Sequence, residues 1–264
     1  MAEVEARPLA EAAAPAWPRY AAIVAVHLAL ILAWQLAVDG FGIRPFILPS
    51  PLAMLRTLGQ ANYAWLSNML VTATEIFGGF SLAVVAGMAL ALLFSWSRLL
   101  TLLIFPVFVT LNMIPKVALG PLIIVWLSYG IVANILITFS LCLFPILLTT
   151  ARGLRETEPE LLDLVRALKG SRWQIFTKIQ LPGALPYLFS GMKVAAILAV
   201  AGAVVGEFIA SDRGLGYLMV QVQSSLDTAA MFMAVILLTG LGIALYLAAL
   251  LLERLCIVRG ARVE

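Results

Sequence analysis

Between Leu99 and Ala151 the chain carries a single charged residue, Lys116. At about 1.5 Å of rise per residue, one helix over that run would far exceed the hydrocarbon core of a bilayer, about 30 Å thick. The run must turn and cross twice, and Ser128-Tyr129-Gly130 is the best turn signal within it. Apolar types make up 63% of the chain and charged types 12%, and mean hydropathy is +1.05. Soluble domains average roughly half apolar and a quarter charged. The expectation is an all-α, polytopic membrane protein.

A crossing helix needs about 20 apolar residues. The apolar runs place six spans near residues 20–38, 68–97, 99–127, 131–151, 187–210 and 229–252. Residues 1–18 and 256–264 are read as tails flanking a membrane domain of 19–255. The third span holds Pro106, Pro115, Gly120 and Pro121, so it should be broken. Irregular backbone at membrane depth needs protein or a water-filled cavity around it, which puts 114–122 in the bundle interior or at its outer mouth.

Lysine and arginine set the orientation. With the N-terminus inside, Arg7, Arg19, Arg98, Arg152, Arg155, Arg166, Lys169, Arg172, Lys178, Lys193, Arg254, Arg259 and Arg262 fall on one side. Arg44, Arg56, Arg213 and Lys116 fall on the other. Both termini and the segment 152–186 are therefore expected in the cytoplasm. Small residues recur every fourth position at Gly79, Ala83, Gly87 and Ala91, at Ala195, Ala199 and Ala203, and at Gly240, Ala244 and Ala248. Such faces let helices approach closely where lipid removes the hydrophobic drive for association.

Chemistry is nearly absent from this inventory. The spacing of Cys142 and Cys256 suggests neither a disulfide nor a metal site, and His27 is the lone histidine. No nucleophile–base constellation is present, and nothing points to a cofactor or to nucleic acid. No G-x-x-x-x-G-K-[ST] phosphate loop occurs either, so any ATP hydrolysis must reside in another protein.

One polar segment lies between the apolar runs. In 156–182, Pro159 and its flanking glutamates suit a helix start. Leu161, Leu162, Val165 and Leu168 fall on one face and Asp163, Arg166 and Lys169 on another, and Gly170 should end the helix. A second short helix from Arg172 to Ile179 should stop at Pro182 and Pro186. Two short helices joined at a glycine make a knob suited to docking a soluble partner; a basic face on anionic lipid headgroups is the plainer alternative.

This segment resembles the coupling (EAA) loop of permease subunits in binding-protein-dependent ABC importers. Aligned on Ile179, Leu181 and Pro182, Asp163 takes the position of the family's glutamate and Lys169 that of its glycine, with Gly170 one residue late. The stretches PFILPSP (45–51), NMIPKVALGPLIIVWLSYG (112–130), GSRWQIFTKIQLPGALPYLFSGMKVA (170–195), VVGEFIASDRGLGYL (204–218), LDTAAMFMAVILL (226–238) and LLERL (251–255) are similar to the branch importing nitrate, sulfonates, taurine and pyrimidine or vitamin precursors. The resemblance implies a type I importer fold in the bacterial inner membrane. It also implies two copies of the permease, two ATPase subunits, and a periplasmic or lipid-anchored solute-binding protein. It makes Asp163, Arg166, Lys169, Gly170, Arg172, Trp173, Ile179, Leu181 and Pro182 the ATPase-coupling residues.

For the translocation path or its gate the candidates are Glu75, Lys116, Glu207, Gly214 and Gly216. Glu75 is an intramembrane carboxylate, to be weighed against one that sits near the interface. Lys116 could attract an anion, or pair with Glu207 or Glu75. Glu207 ends the fifth span and suits an ion-pair or helix-end role. Gly214 and Gly216 open a short helix on the outer face. A secondary transporter or channel would need coupling carboxylates near the midplane and usually inverted repeats, and none is seen between 20–127 and 131–252.

Overall fold

The computed structural model describes residues 17–128, 130–156 and 159–257. Among them there are helices and no strand. In order these are α1 (Trp17–Gly40), α2 (Pro51–Thr57), α3 (Trp65–Trp96), α4 (Arg98–Met113), α5 (Lys116–Leu127), α6 (Ile131–Gly153), α7 (Pro159–Ala167), α8 (Arg172–Ile175), α9 (Leu181–Ala210), α10 (Leu215–Gln223) and α11 (Thr228–Cys256). Ala21–Gly40, Ala61–Trp96, Ile131–Gly153, Arg172–Ile209 and Thr228–Cys256 are each long and apolar enough to cross a membrane, and Leu99–Met113 is a shorter apolar helix. The tails assigned to 1–18 and 256–264, and Tyr129 of the turn, lie largely outside the described residues.

The core is the trio α3, α6 and α9. Gly79, Ala83, Gly87 and Ala91 are buried along one face of α3. A Cβ at Gly79 would strike Thr138 and Ile135, and one at Gly87 would press on Ile146, so glycine is what lets α3 and α6 touch. On α9, Ala195, Ala199 and Ala203 are fully buried, and Gly202 lies against Thr138 of α6. The stripe expected on α11 is different: Gly240 and Ala244 face outward, and Ala230, Met233, Ala234, Leu238, Leu245 and Ala249 are the buried residues. Helix α11 approaches α9 at Gly242, where a Cβ would press on Val200, and Lys193 of α9 pairs with Glu253 of α11 at 3.1 Å.

The third span is broken, as its prolines require. Helix α4 ends at Met113, Ile114 is extended, and α5 restarts at Lys116. The expected shelter is missing within a single chain. Ile114 is 37% exposed, Leu122 48% and Trp126 72%; of this segment Gly120 is buried, against Ile209. The freed carbonyls find a local donor instead: the Lys116 ammonium bonds the Leu111 and Asn112 carbonyls at 3.0 and 3.4 Å. That is a cation placed at a helix C-terminus. The turn after α5 uses left-handed Ser128 (φ 64°) and Gly130 (φ 132°).

Helix α3 spans about 48 Å with its 32 residues and separates the ends of the bundle. Its N-terminal end meets α10, and its C-terminal Trp96 meets Phe176 beyond α8.

Candidate functional site

The polar segment forms an elbow at the α8 end of the bundle. Helix α7 stops in a left-handed turn in which the Gly170 N–H bonds the Val165 carbonyl at 2.9 Å. The residue with positive φ is Lys169 (57°), not Gly170. In this chain the position that glycine holds in the family pattern is left-handed, and a lysine occupies it. Gly170 is glycine for another reason: a Cβ there would collide with Val165. Ser171 then caps α8, its hydroxyl accepting from Gln174 N–H while the Gln174 side chain accepts from Ser171 N–H.

The expected stop at Pro182 and Pro186 does not occur. The chain continues from α8 through one π-helical turn, Phe176–Gln180, straight into α9. Pro182 lacks an N–H, and the ladder shifts so that the Leu181 N–H reaches back to Phe176 O. Pro182 sits in the first turn of α9, where its missing donor costs little. Phe176 anchors the elbow. It is buried among Ala91, Phe94, Leu147, Ala151 and Ala184, with the Trp96 and Trp173 rings 5.5 and 5.7 Å from its own.

The outward face of the elbow is apolar as well as charged. Leu161, Leu164, Leu168 and Trp173 are 40%, 56%, 74% and 64% exposed. Leu162 and Val165 turn partly inward, so the exposed stripe differs from the face drawn from sequence. Lys169, Arg172 and Pro182 are exposed, and Ile179 and Leu181 are half-buried. Asp163 is exposed yet has an interaction partner, and the Arg166 side chain lies outside the described residues. Beside the elbow, Arg152 and Glu156 form a two-bond ion pair at 3.0 and 3.1 Å, which holds the Glu156 carboxyl below its usual range.

At the opposite end four of the five path candidates come together. Glu75 and Glu207 are 0% and 1% exposed. The Glu207 carboxylate accepts from the Thr72 hydroxyl and the Gly216 N–H. Thr72 in turn accepts from Leu215 N–H at 2.8 Å, and Asn68 from Gly214 N–H at 2.9 Å. Asn134 of α6 donates to Glu75 Oε1 at 2.8 Å. Asn68, Thr72 and Glu75 thus form one stripe of α3, at i, i+4 and i+7; the first two receive the Gly214 and Leu215 N–H groups at the start of α10, and Glu75 receives Asn134 of α6. Gly214 and Gly216 are glycines because a Cβ at either would run into the Glu207 carboxylate, and Gly214 also has φ +112°.

Several expectations change here. Glu75 is sealed in the bundle rather than snorkelling at the interface. Glu207 lies one turn before the end of α9 and serves the start of α10. Lys116 pairs with neither carboxylate, because the open carbonyls of α4 hold its ammonium. Asn68 and Asn134 were missed; the i, i+4, i+7 spacing from Asn68 to Glu75 was the available signal for the first. The Lys193–Glu253 pair was missed because the partners are far apart in sequence.

Comparison with known proteins gives the class to which this architecture belongs, a transport permease. Residues 83–257 match the family described as binding-protein-dependent transport system inner membrane component. The chain is 35% identical over 243 residues to the riboflavin transport system permease RibX of Chloroflexus aurantiacus, covering 91% of this chain and 90% of that one. It is 30% identical over 217 residues to the formylaminopyrimidine transport permease ThiX of Halalkalibacterium halodurans, covering 82% and 86%. Permeases named for aliphatic sulfonates and for nitrate also match. Among solved structures, the inward-facing MetNI methionine ABC transporter shares the fold, with a TM-score of 0.63, 20% identity and coverage of 72% of this chain and 95% of that one. The chain belongs to this family: it is an ABC transporter permease of the binding-protein-dependent importer type, a multi-pass inner-membrane protein.

Proposed function

We propose that this permease imports a small heterocyclic solute of the vitamin-precursor class, driven by a separate ATPase that docks on the elbow at 156–182. Two ATPase subunits, a second copy of the permease and a solute-binding protein complete the assembly. The carrying observation is the elbow itself. It is rigidly based on Phe176, and it presents Leu161, Leu164, Leu168 and Trp173 outward beside Lys169 and Arg172. An apolar helical stripe rimmed by charge suits a groove in a soluble partner. Lysine and arginine bias supports a cytoplasmic placement of this end and of both termini.

The second copy is supported by unpartnered surface. Helix α1 is exposed along most of its length, as are Leu122, Val125, Trp126 and Leu127 of the broken third span. An open groove lined by Ile197, Ala201, Thr239, Gly242 and Tyr246 runs between α9 and α11. For the solute, the permease named for riboflavin matches at 35% identity, against 31% for one named for aliphatic sulfonates, 30% for the one named for formylaminopyrimidine and 27% for the one named for nitrate. Lys116, the cation that could have drawn an anion inward, is bonded to backbone carbonyls.

The test is uptake into proteoliposomes. Transport of a flavin or pyrimidine that requires the co-reconstituted ATPase and binding protein supports the reading. Uptake by this chain alone makes it a secondary transporter instead.

A further inference from the structure

Arg155 follows α6 at the elbow end and belongs neither to the exposed stripe of the elbow nor to the α10 cluster. Its guanidinium donates from Nη2 to the Thr101 hydroxyl of α4 at 3.0 Å. Thr101 is itself fixed, because its hydroxyl donates to the Phe94 carbonyl of α3 at 2.8 Å. That bond uses one N–H of a side chain with several, and no carboxylate among the described residues pairs with Arg155. Glu156 beside it is taken by Arg152. The exposed Arg155 is thus held in place with donors to spare. Two clefts meet at Phe94 and Arg155. One, of about 440 Å³, has Phe94, Phe105, Leu148 and Ala151 as its apolar wall. The other, of about 450 Å³, runs past Thr101 and Leu102. Leu148 and Leu102 are exposed, as are Leu99 and Leu103 of α4. Trp96, a residue type that favours the headgroup level, stands exposed at the end of α3.

We propose that these clefts bind an anionic phospholipid, its phosphate on the Arg155 guanidinium and its acyl chains along Phe105, Leu148 and Leu102. The ligand has to be amphipathic, since the cation stands at the end of an apolar wall. A soluble anion meets the charge and leaves the wall uncovered. A neutral chain covers the wall and leaves the charge unmatched. Phosphate suits the forked donors of an arginine, and basic pockets between helices on the cytoplasmic side attract anionic headgroups. The assignment rests on the orientation proposed above, in which the elbow end is cytoplasmic. Bound there, the lipid bridges α3, α4 and α6 and braces α4 at the base of the broken third span. Without it, α4 is joined to α3 at this level by the Phe94 ring against Phe105 and Phe108 and by the Thr101 bond.

Melting of the purified permease in a neutral detergent, titrated with lipid, tests this. Phosphatidylglycerol should stabilise the wild type, and phosphatidylcholine, whose amine cancels the charge, much less. In Arg155→Gln the half-saturating concentration of phosphatidylglycerol should rise about tenfold, and Arg155→Lys should fall between. Leu148→Trp, which fills the apolar cleft and leaves the cation, should lose the stabilisation, and Arg172→Gln, on the elbow, should keep it. Equal stabilisation of the wild type by the two lipids would overturn the proposal, even if every variant failed to fold. So would equal stabilisation by glycerol phosphate, which has no chains, or by diacylglycerol, which has no phosphate. Loss of the effect in Arg172→Gln with retention in Arg155→Gln would move the lipid to the elbow face and overturn it too. None of these readouts involves the ATPase or the direction of transport, so lipid binding and ATP-driven uptake can fail independently.

Discussion

The two ends of the bundle handle polar groups in opposite ways. At the α10 end, Glu75, Glu207, Asn134 and Thr72 are buried and spent on one another and on backbone N–H groups. At the elbow end, leucines and a tryptophan stand in solvent among charged neighbours. Burial of polar groups inside and exposure of apolar groups outside are both costly, yet they mean different things. The first fixes a structure, because every removed partner leaves an unsatisfied group. The second stabilises nothing in the isolated chain and marks a surface that waits for a partner. Substitutions should therefore separate stability from coupling along the length of α3.

The largest loss of stability is expected from Glu207→Ala. It strands the Gly216 N–H in a buried site and leaves the Thr72 hydroxyl only the Asn68 carbonyl, at about 3 kcal/mol. A drop in the melting temperature of the purified protein checks it, and an unchanged one would mean that α10 is held by apolar packing alone. Next is the Lys193–Glu253 pair, which joins α9 and α11 midway toward the elbow. A double-mutant cycle with alanine at both positions should return a coupling of about 1 kcal/mol, since the pair is only partly buried. Lys169→Gly should go the other way and stabilise by about 0.5–1 kcal/mol, because a lysine there holds a left-handed conformation that glycine adopts freely. A rise in melting temperature with intact transport checks that. At the bottom of the scale, Leu164→Asp with Leu168→Asp should leave stability within about 0.5 kcal/mol, as exposed sites do. The same pair should abolish ATP-driven uptake.

The helical class, the turn near residue 128, the break at Pro115 and the elbow were all legible in the sequence, because apolar run length, proline and charge act locally. What escaped was tertiary. Pro182 looked like a stop because nothing local announces a π-helical turn that lets the chain run on. Lys169 looked like a departure from a glycine pattern, and only the backbone shows it taking the glycine's conformation. Glu75, Glu207, Gly214 and Gly216 were picked singly. Their convergence depends on α3 and α9 lying side by side, which Gly79 and Gly202 permit by each resting on Thr138 of α6. Shelter for 114–122 was expected from the bundle, but a single chain leaves that segment open.

The elbow proposed as the ATPase dock can be tested by binding alone. Co-purification of the ATPase with the tagged, membrane-inserted permease tests it most directly. Wild type and Glu75→Gln should retain the ATPase, and Leu164→Asp with Leu168→Asp should lose it while melting at the wild-type temperature. A stable ATPase complex with that double variant would contradict the account.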